Sequence, residues 1–145
     1  MCEELKKRLL NEITAIERTK NKVELLEKLL VNEEYIIKFR DDPEYVKYWL
    51  LYSGLIRDVE KVFEFMDEAK IGIKDYMTYL KKAAFYENYS RDFLLSLACL
   101  DKALDLAPDQ QLLTSTLKKF EQRMTARYER DVNSHLRENK KRRYS

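Results

Sequence analysis

Glycine and proline, the residues that most strongly punctuate a chain, occur only four times in 145 residues: Pro43, Gly54, Gly72 and Pro108. Hairpins and sandwiches need far more turn chemistry than that. Between Glu3 and Phe39 there is neither residue, and apolar side chains recur at helical intervals. Leu5, Leu9, Ile13 and Ile16 make one stripe. Val23, Leu26, Leu30 and, further on, Ile37 make a second. The polar run Glu17-Arg18-Thr19-Lys20-Asn21 interrupts the apolar face, so two helices are expected there, with one long helix as the alternative.

The stretch from Asp42 to Gly72 organises the rest and reads as a complete helix pair. Asp42 is placed to cap the first helix, and Pro43 suits a first helical position, where no N–H is needed. Tyr45, Trp49 and Tyr52 come next at helical spacing. Gly54 is expected to end that helix with a positive φ, which glycine adopts at little cost. Asp58 offers a second N-cap. Val59, Val62, Phe63 and Met66 share one face of the next helix, and Ile71-Gly72 closes the unit. Tyr45, Trp49, Phe63, Ile71 and Gly72 form the predicted structural core. Tyr48 adds a further aromatic side to the first helix. A helix with aromatics around much of its circumference is either enclosed or presents some to a partner. At least one of these rings is expected to face a ligand groove.

A fifth helix is expected over about residues 74–89, carrying Tyr76, Tyr79, Leu80, Ala83 and Ala84. Asp92 or Ser90 can cap a sixth, which Pro108 stops. A seventh starts near Asp109 and buries Leu113, Leu117, Phe120 and Met124. Beyond Met124 the stripe thins to Tyr128, Val132 and Leu136 among charges, and residues from about Asn139 are expected to be disordered. Residues 1–124 are thus read as one helical domain and 125–145 as a charged helical extension with a basic tail.

Helices of similar length on short turns make a bundle or a repeat array. Tetratricopeptide units are roughly 34 residues long, pack two helices through small residues and end in Pro. With Pro108 as that terminal residue, a unit starts at Met77. Ala84, Ser96 and Ala103 then take small positions, Leu80 and Leu100 large ones, and Glu87 falls where an aromatic is expected, next to Tyr86. The predicted fold is all-α, a tetratricopeptide-like array of about seven antiparallel helices.

Catalytic chemistry has little to work with. The single His, His135, lies in a charged segment without a nearby Cys, so a solvated role is expected. No glycine-rich phosphate loop exists. Asp41-Asp42 and Glu33-Glu34 read as cap and surface charge. Cys99, among Leu97, Ala98 and Leu100, reads as a buried thiol rather than half of a disulfide with Cys2. No cofactor, metal or small-molecule substrate is called for, and no apolar run approaches the roughly 20 residues that cross a bilayer. The N-terminal residues are too charged for a signal peptide. Residues 125–145 hold seven Lys/Arg against three acids, a local charge of +4, which leaves −2 for residues 1–124. Nucleic-acid contact is therefore not expected of the body, and only the tail, with Lys140-Lys141-Arg142-Arg143, suits such a role or nuclear entry.

Asp42-Pro43-x-Tyr45-x-x-x-Trp49-Leu50-x-Tyr52, then Val62-Phe63-x-Phe65-Met66, then Ile71-Gly72, resembles the N-terminal homology region of the Bub/Mad spindle-assembly-checkpoint proteins. The resemblance continues through Tyr79, Ala83, Ala107-Pro108 and Phe120-Glu121-Gln122-Arg123, covering about residues 23–124. It implies a non-catalytic tetratricopeptide-like module that docks on a short amphipathic motif of the Knl/Spc kinetochore scaffold, in the nucleus and at the kinetochore, with a cytoplasmic pool as a further location. Carried onto this chain, the contacting positions are Tyr52, Lys61, Val62 and Phe65. Two features depart from the family. Leu and Ile replace a tryptophan-rich first helix at residues 5–16, and Arg137-Glu138-Asn139 stands in place of the Lys-Glu-Asn degron of the Mad branch. The second departure leans toward a Bub-type kinase as parent or relative. The competing reading is a half-tetratricopeptide scaffold of an RNA-processing complex, with residues 137–143 touching RNA; a third is a general scaffolding array.

Overall fold

A computed structural model describes residues 2–144. The side chains of Cys2, Leu112 and residues 139–144 lie outside the described residues, and with them the basic cluster expected at 140–143. Eight α-helices and one π-helical turn account for most of the chain, and no strand occurs among the described residues. The all-α, tetratricopeptide-like reading holds. The chain divides into a compact unit of residues 1–106 and a second of residues 107–145.

In the first unit, α1 (Cys2–Glu17) buries Leu9 and Ile13. The polar run then closes it: Thr19 donates its N–H to the Ile16 carbonyl at 3.0 Å and its hydroxyl to the same oxygen at 2.8 Å. Where one or two helices were expected before residue 39, there are three. Helix α2 (Lys22–Leu30) stops at Val31, and Asn32 caps α3 (Glu33–Phe39) by accepting from the Glu34 N–H at 2.9 Å. That break resets the helical register. Leu26 and Leu30 are buried, but Ile37 is 65% exposed, and Tyr35 and Phe39 face the core instead. The extrapolated stripe failed because it assumed an unbroken screw past Asn32, whose side chain competes for the backbone.

Helix α4 (Pro43–Ser53) opens as its cap requires. Asp42 Oδ1 accepts from the N–H groups of Glu44 at 2.9 Å and Tyr45 at 3.3 Å. Lys6 ties α1 to this end, with Nζ 3.0 Å from Asp42 and 3.4 Å from Glu44. Gly54 corrects an expectation: its φ is −77°, an ordinary helical value, so it ends α4 without left-handed backbone. Asp58 corrects another. Its side chain makes no cap bond to α5 (Val59–Ala69) and instead faces Lys61 Nζ at 3.5 Å.

The left-handed turn comes after α5. Lys70 has φ 60° and Gly72 φ 70°, and the Ile71 N–H donates to the Met66 carbonyl at 2.8 Å. Gly72 is constrained twice. Besides its φ, a Cβ there would stand 2.6 Å from Thr78 Oγ1 and 2.9 Å from Val46 Cγ1. Its N–H donates to the Arg40 carbonyl at 2.8 Å, so the turn is pinned to the end of α3.

Helix α6 (Tyr76–Phe85), capped by Asp75, is shorter than expected at both ends and passes into the π-helical turn Tyr86–Ser90. Arg91 at φ 53° then reverses the chain, and Asp92 caps α7 (Phe93–Leu106) through the Leu95 N–H at 3.1 Å. The α6–α7 hairpin packs through small residues. Ser96 Oγ donates to the Ala83 carbonyl at 2.7 Å, and Ala103 is fully buried. Ala83, not Ala84, takes the small position: Ala84 is exposed, so the repeat register slips by one residue in the first helix. Glu87 is buried where the repeat expects an aromatic.

The second unit is a single helix, α8 (Gln110–Tyr144), begun by Asp109 accepting from the Gln111 N–H at 3.0 Å. It passes residue 124 without a break and remains helical to Tyr144, so the disorder expected from Asn139 is replaced by helix. Leu113 and Phe120 are buried; Tyr128, Val132, His135 and Leu136 are exposed.

Candidate peptide-docking site

The α4–α5 pair is built round Trp49. Its indole is 2% exposed and ringed by aromatics: Tyr45 at 6.4 Å and Tyr52 at 6.0 Å edge-on, and Phe65 stacked at 5.2 Å with an interplanar angle of 21°. The spacing that put Tyr45, Trp49 and Tyr52 on one stripe thus delivers three rings to one place, and α5 contributes the fourth. The Tyr45 hydroxyl donates to the Leu30 carbonyl at the end of α2. Burial pushes the Tyr45 phenol up to about 12, with the Trp49 N–H pulling weakly the other way. That N–H has no partner at hydrogen-bond geometry among the described residues.

Of the four positions carried over from the checkpoint family, two reach solvent and two lie beneath. Lys61 is exposed and paired only with Asp58 among the described residues. Phe65 is half-buried, one face covered by Trp49. Tyr52 and Val62 are 6% and 5% exposed, Tyr52 against the Trp49 ring and Val62 in the apolar cluster around it. Lys61 and Phe65, four apart, share one face of α5. Burial raises the Tyr52 phenol, and Glu27 of α2 adds to that.

Sequence reasoning passed over Lys82. Its side chain is buried, with Nζ 2.6 Å from Asp67 Oδ1, 5.4 Å from the Tyr79 ring centroid and 5.9 Å from that of Phe63. One ammonium thereby fastens α6 to α5 by an ion pair with Asp67 and a cation–π contact with Phe63, while Tyr79 of its own helix covers it from a second side. The signal was faint: Tyr79 three residues before Lys82 puts ring and stem on one helical face, but Asp67 and Phe63 come from another helix.

Nothing in the site is arranged for bond-breaking. Cys99 is a free buried thiol whose burial pushes its pKa up, away from the reactive thiolate, although Lys82 opposes this. No group of three or more potential metal ligands occurs among the described residues. No helix among them is long and apolar enough to cross a membrane.

The described residues form an all-helical, tetratricopeptide-like array with an aromatic cluster between α4 and α5, a fold class of protein-interaction domains. The family model of Mad3/BUB1 homology region 1 matches residues 6–93. The chain belongs to that family, and is a non-catalytic interaction module of the spindle-checkpoint type. The match takes in α1, where Leu and Ile replace the expected tryptophans, and ends at the start of α7. Bub and Mad types are not distinguished by it. A comparison with curated proteins finds no significant match.

Proposed function

We propose that this module docks a checkpoint protein, of the Bub type, onto a short amphipathic motif of the Knl/Spc kinetochore scaffold in the nucleus. The supporting observation is the half-exposed Phe65 ring lying over Trp49, with exposed Lys61 one turn away. In this reading Tyr52 and Val62 form the floor, Phe65 gives an apolar contact, and Lys61 gives a polar contact at the edge. A motif helix laying its apolar face on such a patch buries a few anchors and loses ordering entropy. The expected affinity is near micromolar, about −8 kcal/mol. Because Tyr52 and Val62 are core residues, the informative variant is Lys61→Glu, Phe65→Ala. Fluorescence anisotropy with a labelled amphipathic peptide from the scaffold should show binding weakened at least tenfold, about 1.4 kcal/mol, while circular dichroism stays helical. Unchanged binding by a folded variant refutes this surface. RNA affinity carried by residues 1–124, and falling steeply with salt, would instead favour the RNA-processing scaffold.

A further inference from the structure

On the side of α5 away from Lys61, the α4–α5 connection, α5, α6 and the π-helical turn enclose a pocket of about 450 Å³. Ile56, Val59, Phe63 and Phe85 supply its apolar lining. Tyr89 stacks on Phe85 at 5.6 Å, yet remains 81% exposed, so a large ring stands in water at the pocket's edge. The π-helical turn and the left-handed Arg91 after it hold Tyr89 there.

The charges of this lining are all of one sign. Arg57 and Lys81 are its only charged residues, and it contains no carboxylate. Elsewhere in this unit several cations are met by an acid: Lys6 by Asp42 and Glu44, Arg8 by Glu12, Lys61 by Asp58, Lys74 by Asp41 and Lys82 by Asp67. Arg57 and Lys81 have no ion-pair or hydrogen-bond partner among the described residues. Two unpaired cations beside an apolar hollow, on a body whose residues 1–124 sum to −2, are a local inversion of charge.

We propose that this pocket is a second peptide site, for a short acidic segment of a partner protein. One aromatic or leucine side chain of that segment enters between Phe63, Phe85 and Tyr89, and flanking carboxylates meet Arg57 and Lys81. The apolar anchor supplies affinity by burial, and the cations select for acidic neighbours and against basic ones. The charge preference separates this site from the Lys61–Phe65 face, and it stands whether or not that face binds a kinetochore motif.

The test is selection of random phage-displayed dodecapeptides against the full chain. Enriched sequences should be net negative and carry an aromatic or leucine. Synthetic peptides of those sequences should bind an Arg57→Glu, Lys81→Glu chain roughly tenfold or more weakly, and their affinity should fall with added salt. The Lys61→Glu, Phe65→Ala chain should bind them unchanged. Ala84→Glu, an exposed helical position in the pocket wall, adds a repelling carboxylate and should weaken them independently. Absence of enrichment, enrichment of neutral or basic peptides, or binding indifferent to both pocket variants overturns the proposal.

Discussion

Helices α4 and α5 present two unlike sides. On one, Trp49 is enclosed by Tyr45, Tyr52 and Phe65, and only part of Phe65 and the Lys61 ammonium remain outside. On the other, Phe63 meets Phe85 edge-on at 5.6 Å, but the hollow beside them stays open under Arg57, Lys81 and Tyr89. The difference lies in the neighbours that each side meets. The first side is closed by helices whose apolar faces point at it. The second abuts a π-helical turn that leaves Tyr89 81% exposed at the edge of the gap. A helix pair can therefore be closely covered on one side and open on the other without any change in its own periodicity.

The largest break in that comparison comes from the closed side. Trp49→Ala should cost about 3–5 kcal/mol, as large aromatic truncations in packed cores do, read as a lower midpoint in urea unfolding. An unchanged midpoint would mean that the aromatic layer carries no stability.

The two glycines give the next contrast. Gly72→Ala should destabilise by about 1–3 kcal/mol, since it strains a positive φ and drives Cβ into Thr78 and Val46. Gly54→Ala meets nothing closer than the Leu51 carbonyl at 3.5 Å, at a helical φ, and should stabilise by about 0.4–1 kcal/mol. Equal melting shifts for the two would contradict this backbone geometry.

Alkaline titration probes Tyr45. Its folded pKa of about 12 exceeds the ordinary value of 10, so the folded state holds a proton that the unfolded state releases. The sign is therefore a loss: the contribution is complete below pH 10 and disappears as pH rises through about 12. The total is on the order of 2–3 kcal/mol at about 1.36 kcal/mol per unit. Tyr45→Phe should flatten the decline of stability over that window, while costing about 1 kcal/mol at neutral pH for the lost hydrogen bond to Leu30. A decline of the same steepness in the variant assigns the loss to the other tyrosines that burial raises, Tyr79 and Tyr86 among them.

The smallest effect is expected on the open side. Arg57→Glu, Lys81→Glu should move the midpoint by no more than about 0.5 kcal/mol, because both side chains are exposed and unpaired among the described residues. A larger loss would show that the pocket's rim is part of the scaffold.

The sequence alone determined the helical class, because four Gly and Pro in 145 residues leave no chemistry for sheet turns. It also determined the start of α4, the end of α7 near Pro108 and the stripe through Trp49. Those are local decisions, made by a cap, a missing N–H or a spacing of three and four. The tertiary structure decided which side of each stripe is covered. Ile37 lost its place when Asn32 restarted the helix, and Gly54 needed no left-handed turn while Gly72 did, because Arg40, Val46 and Thr78 converge on the second and not the first. Lys82 is buried only because Asp67, Phe63 and Tyr79 meet round it from two helices. Tyr52 and Val62 became buried and Phe65 half-exposed for a similar reason. Helical periodicity tells which residues share a face, but the burial of that face is set by neighbours far away in the chain.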